Sequence, residues 1–267
     1  MPTGAGDRGV DAISGGVVLC ACLTQARTPD LVLATADVGF DAVYVDLEHS
    51  STSLDVTATL CATALGIGIT PFVRVPSHDA ATITRVLDGG ALGLIVPHVD
   101  TADEAAALAD VVHLPPRGRR SVYGYTPLAA VRGLQGDELA AELSRRTVFA
   151  PMVESATAIG EVGQIAAVAG VDLILVGAHD LTSTLGIPGQ FTHPDFLSAL
   201  GTVAEACRVH DTAFGVAGIT DQTLLTDLVG KGLRFISAGT DIGFFREAAA
   251  ARVLQLRSLA SQAQGGT

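Results

Sequence analysis

Short apolar runs alternate with longer, Ala- and Leu-rich amphipathic stretches along almost the whole chain. The short runs are rich in Val, Ile, Leu and Phe, and continuous apolar runs of this length are typical of parallel strands that are buried on both faces. The strands predicted in this way are Val17–Leu23, Ala42–Glu48, Thr70–Val75, Leu92–Val99, Val148–Ser155, Asp172–Gly177, Thr212–Ala217 and Arg234–Gly239. The amphipathic stretches predict helices at Thr28–Val38, Ser53–Leu65, Asp79–Asp88, Thr101–Val112, Gly136–Arg145, Thr157–Ala166, Pro194–His210, Asp221–Lys231 and Phe244–Ala260.

The order of these elements predicts the fold. Eight strand–helix units in 267 residues indicate a TIM (β/α)8 barrel, a fold that takes roughly 250 residues. The alternative is a doubly wound open sheet, but no G-x-G-x-x-G motif follows an early strand, so dinucleotide binding is not supported. We expect residues 1–14 to form a flexible N-terminus and residues 15–262 to form one barrel domain.

Composition narrows the class of protein. The chain is 48% hydrophobic and 16% charged, which suits a folded chain with a sizeable core. A formal net charge of −12 without a basic stretch argues against binding to nucleic acid or to an anionic membrane surface. No apolar run approaches the length of a membrane span, and the N-terminus lacks the apolar segment of a signal peptide. We therefore expect a cytoplasmic protein, in which the four scattered cysteines are buried small apolar residues.

The basic residues restrict the chemistry. Fifteen of them are arginines, and the single lysine is Lys231. A Schiff-base mechanism requires a lysine at the active site. Lys231 precedes the last predicted strand, which is the N-terminal end of a barrel, whereas active sites of barrels lie at the opposite end. A barrel of this composition that activates a carbonyl compound must therefore use a metal ion.

Charged and imidazole side chains follow almost every predicted strand, although the strands themselves are apolar. Because the carboxyl ends of barrel strands meet at one face, we expect these side chains to form the active site. They are Asp46, Glu48, His49, Arg74, His98, Glu154, His179, Asp180 and Asp241.

Each of these side chains has a chemical and an ordinary interpretation. Glu154 and Asp180 follow adjacent strands and can share Mg²⁺ or Mn²⁺, or they can simply cap the following helices, Asp180 through Ser183. Arg74 can hold a carboxylate or an enolate oxygen, or it can form a structural ion pair. His49 can act as a general base oriented by a carboxylate, or it can be an ordinary polar residue, as we expect for His98, His179 and His193.

Two predicted connections are long, Leu114–Gln135 and Thr182–His193. Long loops in a barrel commonly carry function. The first contains Arg117, Arg119, Arg120, Tyr123 and Tyr125 within nine residues. We expect it to be a lid whose Arg120 and Tyr125 contact the distal end of a substrate; the alternatives are a solvated surface loop and a subunit contact.

Several motifs together resemble the HpcH/HpaI aldolases, the metal-dependent class II pyruvate aldolases. The resemblance runs from about Gly15 to Ala260 and is specific because all the motifs occur in order. They are GFDAVYVDLEHS, PFVRV, RVLDGGALGLIVPHVDTADEA, PPRGRRS, the VES of PMVES, and VGAHDLTSTLGIPGQ.

The resemblance implies roles for individual residues. Glu154 and Asp180 are similar to the two ligands of a divalent metal, Mg²⁺, Mn²⁺ or Co²⁺, and Arg74 to the arginine that binds the keto oxygen and steadies the enolate. His49 oriented by Asp46 is similar to the family's acid–base dyad. The resemblance further implies that Asp88 lies near that dyad or reaches a neighbouring subunit, and that backbone amides at Ala178, His179 and Asp180 hold the pyruvate carboxylate.

The implied activity is cleavage or formation of a 4-hydroxy-2-oxo acid from pyruvate, or a related 2-oxo acid, and an aldehyde. The implied assembly is a homo-oligomer, a hexamer built as a trimer of dimers, in which the last helix packs on a partner. The chain departs from the family at Met152, where several members have Gln, and at His179, where a small residue is usual. GAHDLTSTLGIPGQ also resembles a branch that makes citrate from oxaloacetate and acetyl-CoA, which is the alternative function, and a barrel that binds a small acid without catalysis is a third hypothesis.

Overall fold

Parallel strands, hydrogen-bonded in chain order, close into a barrel. The computed structural model describes Ile13 and residues 15–265, with the backbone alone for residues 260–265. Apart from Ile13, the predicted flexible N-terminus lies outside these residues. The strands of the described chain are β1 Val18–Leu23, β2 Ala42–Asp46, β3 Thr70–Arg74, β4 Gly93–Val96, β5 Val148–Val153, β6 Leu173–Gly177, β7 Ala213–Ala217 and β8 Leu233–Thr240. The predicted TIM barrel is confirmed, and each predicted strand is present with shifted ends.

Eleven helices of the described chain surround the barrel. They are α1 Pro29–Asp37, α2 Leu54–Ile67, α3 Ala80–Asp88, α4 Ala102–Val112, α5 Pro127–Arg132, α6 Gly136–Arg146, α7 Ala156–Ala166, α8 Ala178–Thr184, α9 Pro194–His210, α10 Gln222–Gly230 and α11 Asp241–Gly265. The nine predicted helices are all present. The two additional helices, α5 and α8, are short. Helix α5 lies in the predicted connection Leu114–Gln135, and α8 begins before the predicted connection Thr182–His193 and ends within it.

Alternation along each strand separates two cores. On β2 and β3, Val43, Val45 and Val73 face the helices and belong to the large outer cluster. Tyr44 and Phe72 face the barrel interior, where they pack with inward residues of the other strands. Gly93 on β4 makes room for this packing, because a Cβ there would lie 1.9 Å from the Phe72 ring.

The same alternation carries polar side chains to the mouth of the barrel. Two residues beyond Tyr44 is Asp46, and two beyond Phe72 is Arg74. Met152 is an interior residue, and two beyond it is Glu154. Because side chains two apart in a strand share a face, these charged groups continue the inward stacks at the carboxyl end of the barrel.

Among the residues that the structure describes, no helix combines the length and the apolar composition needed to cross a membrane.

Asp241 closes the barrel at the carboxyl end of β8. Its carboxylate accepts hydrogen bonds from the Thr24 hydroxyl (2.8 Å) and from the backbone N–H groups of Thr24, Gln25 and Ala26 (3.1, 2.8 and 2.7 Å). Burial opposes ionisation, but these hydrogen bonds hold the pKa of Asp241 below its ordinary value. We expected Asp241 among the active-site side chains. Its hydrogen bonds instead connect the end of β1 to the end of β8.

We expect Asp241→Asn to lower the free energy of unfolding by about 1–3 kcal/mol at pH 7, because an amide N–H₂ cannot accept from the amides of Gln25 and Ala26. The folded-state pKa of Asp241 is lowered, so its contribution is present above the unfolded pKa of about 4 and fades as the pH falls. The measurement is urea unfolding of both proteins at pH 7, 5 and 3.5. Asp227→Asn, at a surface ion pair with Lys231, is the control, and a difference that does not shrink toward pH 3.5 would contradict the assignment.

Candidate active site

A cavity of about 230 Å³ opens at the carboxyl end of the barrel. Its walls come from the ends of β1, β2, β3, β5, β6, β7 and β8 and from the first turn of α8. The lining residues are Cys22, Tyr44, His49, Arg74, Met152, Glu154, Gly177, Ala178, His179, Asp180, Ala217, Gly218, Ser237, Gly239 and Thr240. The predicted convergence of polar strand ends is thus present for His49, Arg74, Glu154, His179 and Asp180.

Asp46 and Arg74 form a buried, two-pronged ion pair. They are direct partners in the register between β2 and β3. Arg74 Nε donates to Asp46 Oδ1 (2.9 Å) and Nη2 donates to Oδ2 (2.7 Å). Burial opposes charge on both groups, yet their attraction holds the pKa of Asp46 below and that of Arg74 above its ordinary value. The pair fixes the guanidinium plane at the floor of the cavity.

The third nitrogen of Arg74 turns toward Glu48. Nη1 lies 2.9 Å from Glu48 Oε2 and 4.0 Å from the Met152 sulfur. The guanidinium carbon lies 5.9 Å from the centroid of the Tyr44 ring. Arg74 therefore forms the structural ion pair that the sequence allowed, and it also lines the cavity.

Glu154 is a buried carboxylate beside other negative charges. Its residue is 3% exposed. Burial raises the pKa of Glu154 to about 7; hydrogen bonding from the His98 backbone opposes the rise, and the charges of Asp180 and Glu48 add to it. Gly177 on β6 leaves room for this carboxylate, because a Cβ at Gly177 would lie 2.4 Å from Glu154 Oε2.

Asp180 lies in the first turn of α8 and lines the same cavity. The Ser183 hydroxyl donates to the His179 carbonyl (2.9 Å), so the interpretation of Asp180 as a cap through Ser183 is not supported. Within the described residues, the Asp180 carboxylate forms no hydrogen bond. In the same part of the chain no group of three or more His, Cys, Asp or Glu side chains is arranged to hold a metal ion. The protein offers two carboxylates, and a cation here would need further oxygen ligands.

The expected contact between Asp46 and the His49 imidazole is absent. Asp46 Oδ1 instead accepts from the backbone N–H groups of Glu48 (3.0 Å) and His49 (3.3 Å). The carboxylate nearest the imidazole is Glu48, with Oε2 3.7 Å from His49 Nε2. This corrects the predicted orientation of the imidazole by Asp46; the physical reason is that Arg74 occupies both Asp46 oxygens.

His98 belongs to the site, although the sequence suggested an ordinary polar residue. Its backbone adopts a left-handed φ of 57°, which is unusual for a residue other than glycine. Its N–H donates to Glu154 Oε1 (2.8 Å), and its ring nitrogens lie 2.9 Å from Glu154 Oε1 and 3.0 Å from Glu48 Oε1. The sequence signal was its position after β4, next to the helix-breaking Pro97.

Ala178 and His179 begin α8 directly after β6. The first N–H groups of a helix have no partner within the helix, so the amides of Ala178, His179 and Asp180 suit an acceptor in the cavity. The His179 ring meets the Phe191 ring edge-on, with centroids 5.1 Å apart. This contact turns the unusual His179 toward the segment that follows α8.

Asp88, Arg120 and Tyr125 are not at this cavity. Asp88 ends α3, and the Leu114–Gln135 connection leads from α4 toward β5, so both lie at the N-terminal end of the barrel. Arg120 is 5% exposed, whereas Tyr125 is 86% exposed. The expectation of a lid over the same chain's site is wrong, because a connection from a helix to the next strand lies opposite the carboxyl ends. Within one chain, neither Asp88 nor this loop reaches His49 or the substrate cavity.

Lys231 lies where the sequence predicted. It follows α10, in the turn before β8, and its Nζ pairs with Asp227 Oδ2 at 2.8 Å. It lines a separate cavity of about 440 Å³ at the N-terminal end. The only amino side chain of the protein is therefore remote from the catalytic cavity.

Known proteins share both the sequence and this architecture. The model of the HpcH/HpaI aldolase/citrate lyase family matches residues 21–248. A 4-hydroxy-4-methyl-2-oxoglutarate aldolase of Hapsidospora irregularis is 39% identical over 84% of this chain and 83% of its own length. A second protein with that activity in its name, from Chaetomium globosum, is 38% identical over 78% of each chain.

A solved structure agrees with these relatives. The HpcH/HpaI aldolase of Desulfitobacterium hafniense superposes with a TM-score of 0.84, at 27% identity, over 90% of this chain and 93% of its own. The motifs that carried the resemblance, GFDAVYVDLEHS, PMVES and VGAHDL, supply Asp46, Glu154 and Asp180 to the mouth of this barrel. The chain belongs to the HpcH/HpaI aldolase/citrate lyase family, and it is a carbon–carbon lyase of the aldolase type.

Proposed function

We propose that the protein is a divalent-metal-dependent aldolase that cleaves or forms 4-hydroxy-2-oxo acids. The donor half is pyruvate or a related 2-oxo acid, and the acceptor half is an aldehyde or another carbonyl compound. One observation carries the proposal: a single cavity is lined by the Arg74 guanidinium and by the Glu154 and Asp180 carboxylates, while the only lysine is at the other end of the barrel. This set of groups suits carbonyl activation without a Schiff base.

Glu154 and Asp180 are the residues that we expect to hold the metal. Burial and neighbouring negative charge disfavour ionised Glu154, and a cation relieves both effects. The missing Cβ of Gly177 leaves one carboxylate oxygen of Glu154 accessible. Oxygen ligands of this kind suit Mg²⁺, Mn²⁺ or Co²⁺. When bound, the metal supplies Lewis-acid polarisation of the 2-oxo group.

The other groups bind, orient and move protons. Arg74, held rigid by Asp46, donates to the 2-oxo oxygen and stabilises the negative charge that develops there as the enolate forms. The amides at the start of α8, which have no partner within the helix, bind the carboxylate of the donor. His49, exposed at the rim, removes the proton of the 4-hydroxyl group, so that the C3–C4 bond breaks to a carbonyl compound and a pyruvate enolate.

The two fungal relatives suggest a substrate. The compound in their names carries a methyl group and a carboxyl group on C4. Its cleavage between C3 and C4 gives two molecules of pyruvate, so the acceptor is a 2-oxo acid. The imidazole of His179 lines the cavity and offers a donor for a second carboxylate. We propose 4-hydroxy-4-methyl-2-oxoglutarate as the first substrate to test.

A second copy of the chain is the expected partner. The long helix α11 contacts β1 and β8, and it exposes several large apolar side chains. An exposed apolar surface of this kind marks an interaction site. We propose that it forms the dimer contact of a homo-oligomer, with a hexamer as the family expectation. The residues are Ile242, Phe244, Phe245, Val253, Leu254, Leu256 and Leu259.

We also propose a cytoplasmic location. All four cysteines, Cys20, Cys22, Cys61 and Cys207, are buried free thiols. Buried free thiols fit a reducing compartment.

Chelation is the first test of the proposed chemistry. We expect EDTA to abolish pyruvate release from 4-hydroxy-4-methyl-2-oxoglutarate, and Mg²⁺, Mn²⁺ or Co²⁺ to restore it, because no other group in the cavity replaces the Lewis acid. Borohydride added with substrate should leave the activity intact. Coupled lactate dehydrogenase measures the release. Trapping of pyruvate on Lys231, or oxaloacetate consumption that depends on acetyl-CoA without any aldol cleavage, would contradict the proposal.

The space at Gly177 gives a second test. We expect Gly177→Ala to weaken Mn²⁺ binding by about 10–100-fold, because the new methyl group displaces the Glu154 carboxylate. Calorimetric titration of the protein with Mn²⁺ measures this without any substrate. Gly160→Ala, in open space on α7, is the matched control and should bind Mn²⁺ as the wild type does. Wild-type affinity in Gly177→Ala would argue against Glu154 as a ligand.

The proposed dimer contact gives a third test. We expect Phe245→Asp with Leu254→Asp to reduce the oligomeric mass, because buried aspartates would be desolvated at the contact. Light scattering after size-exclusion chromatography measures the mass. Val209→Asp, at an exposed apolar position on α9, is the control. An unchanged mass in the double variant would show that α11 is not the contact.

A further inference from the structure

The carboxylate that faces the His49 imidazole belongs to Glu48, and we propose that Glu48 is the positioning residue for His49 in proton transfer. Glu48 and His49 are adjacent at the end of β2, on the rim of the cavity. This inference rests on the proposed aldolase function, in which His49 takes the proton of the 4-hydroxyl group. It assigns Glu48 a role distinct from that of Asp46.

Both oxygens of Asp46 are engaged by groups other than the His49 imidazole. Oδ1 accepts from Arg74 Nε and from the backbone N–H groups of Glu48 and His49. Oδ2 accepts from Arg74 Nη2. The residue is 1% exposed, so its position is fixed by its surroundings. Asp46 therefore shapes the turn that carries Glu48 and His49, and it fixes Arg74.

Glu48 is held from two sides and has its charge available to His49. Oε2 lies 2.9 Å from Arg74 Nη1, and Oε1 lies 3.0 Å from His98 Nε2. His49 Nε2 lies 3.7 Å from Oε2, and its side chain is 63% exposed. A small rotation of this exposed ring brings Nε2 to hydrogen-bond distance, and such contacts commonly tighten when substrate binds. The two anchored oxygens thus give a mobile imidazole a fixed partner.

The contact selects which nitrogen acts as the base. A carboxylate only accepts hydrogen bonds, so the Nε2 that faces Glu48 carries the proton and Nδ1 carries the lone pair. The proton of the 4-hydroxyl group moves to Nδ1, the C4–O bond becomes a carbonyl, and the electrons of the C3–C4 bond enter the enolate. The imidazolium that results is stabilised by the negative charge of Glu48. The other charged or titratable groups that line the same cavity as His49 are Cys22, Tyr44, Arg74, Glu154, His179 and Asp180.

The test compares Glu48→Gln with Asp46→Asn, two isosteric changes in the same turn. Two reactions are followed: aldol cleavage, and exchange of the pyruvate methyl protons with D₂O, which needs no proton from a 4-hydroxyl group. We expect Glu48→Gln to lower kcat for cleavage about 10–100-fold, with KM and exchange changed less than about threefold. Asp46→Asn should reduce exchange as well as cleavage and raise KM, because the amide keeps only one of the two oxygens that accept from Arg74 and removes the negative charge of the ion pair.

A double-mutant cycle separates an effect that Glu48 exerts through His49 from a general disturbance of the site. In a His49→Gln background, Glu48→Gln should cause no further loss of cleavage, because a positioning residue acts only through the residue that it positions. ¹⁵N NMR of labelled imidazoles gives a readout without turnover: the His49 signals, identified by their loss in His49→Gln, should report Nε2–H in the wild type and mixed tautomers in Glu48→Gln. Glu48→Asp, which keeps the charge, should retain more cleavage than Glu48→Gln.

The outcomes separate this inference from the proposed function. If the wild type neither exchanges pyruvate protons nor cleaves any 4-hydroxy-2-oxo acid, the aldolase proposal fails. If the wild type does both and Glu48→Gln cleaves normally, or loses exchange and cleavage equally, only the role of Glu48 is overturned. Additive losses in the double variant would also overturn it.

Discussion

The ion pair between Asp46 and Arg74 is the constraint on which the rest of the site depends. A buried charge is tolerated when a partner satisfies it, and the register of β2 and β3 sets these two side chains opposite each other. Because Asp46 accepts from Arg74 and from two backbone amides, it fixes the guanidinium plane and the turn after β2 together. Glu48 and His49 are carried on that turn, so a single pair orients both a cationic and an imidazole group toward the cavity.

The ends of β5 and β6 have the reverse electrostatic character. Glu154 and Asp180 concentrate negative charge there, Glu48 adds to it from the end of β2, and burial adds to the unfavourable energy of Glu154. His98 offsets part of it through its backbone N–H and its ring, from a left-handed conformation that is itself unfavourable. Backbone strain and clustered like charges lower the stability of a folded protein. They are typical of active sites, where function is retained at the expense of stability.

Much of this arrangement follows from the sequence, and the exceptions have physical reasons. The apolar runs predict eight buried strands, and the side-chain alternation within a strand leads from Tyr44 to Asp46 and from Phe72 to Arg74. The pairing of side chains on neighbouring strands depends on their register, which a local sequence pattern does not encode. The partner of Asp46 could therefore not be predicted from the spacing of D-x-E-H. The order of the predicted elements could have placed the loop with Arg120 and Tyr125 at the N-terminal end of the barrel, since this loop joins a helix to the following strand. The short helix α5 had a signal in Thr126, whose hydroxyl caps it, and in the proline that follows.

The single lysine has a practical consequence. Reagents that acylate amines act on side chains of lysine, and in this protein that chemistry is restricted, apart from the α-amino group, to one half-exposed position beyond α10. Lys231 and the catalytic cavity lie at opposite ends of the barrel axis. An enzyme coupled to a support through Lys231 would therefore stand with its open end toward the solution, and the same bond would give every molecule one orientation.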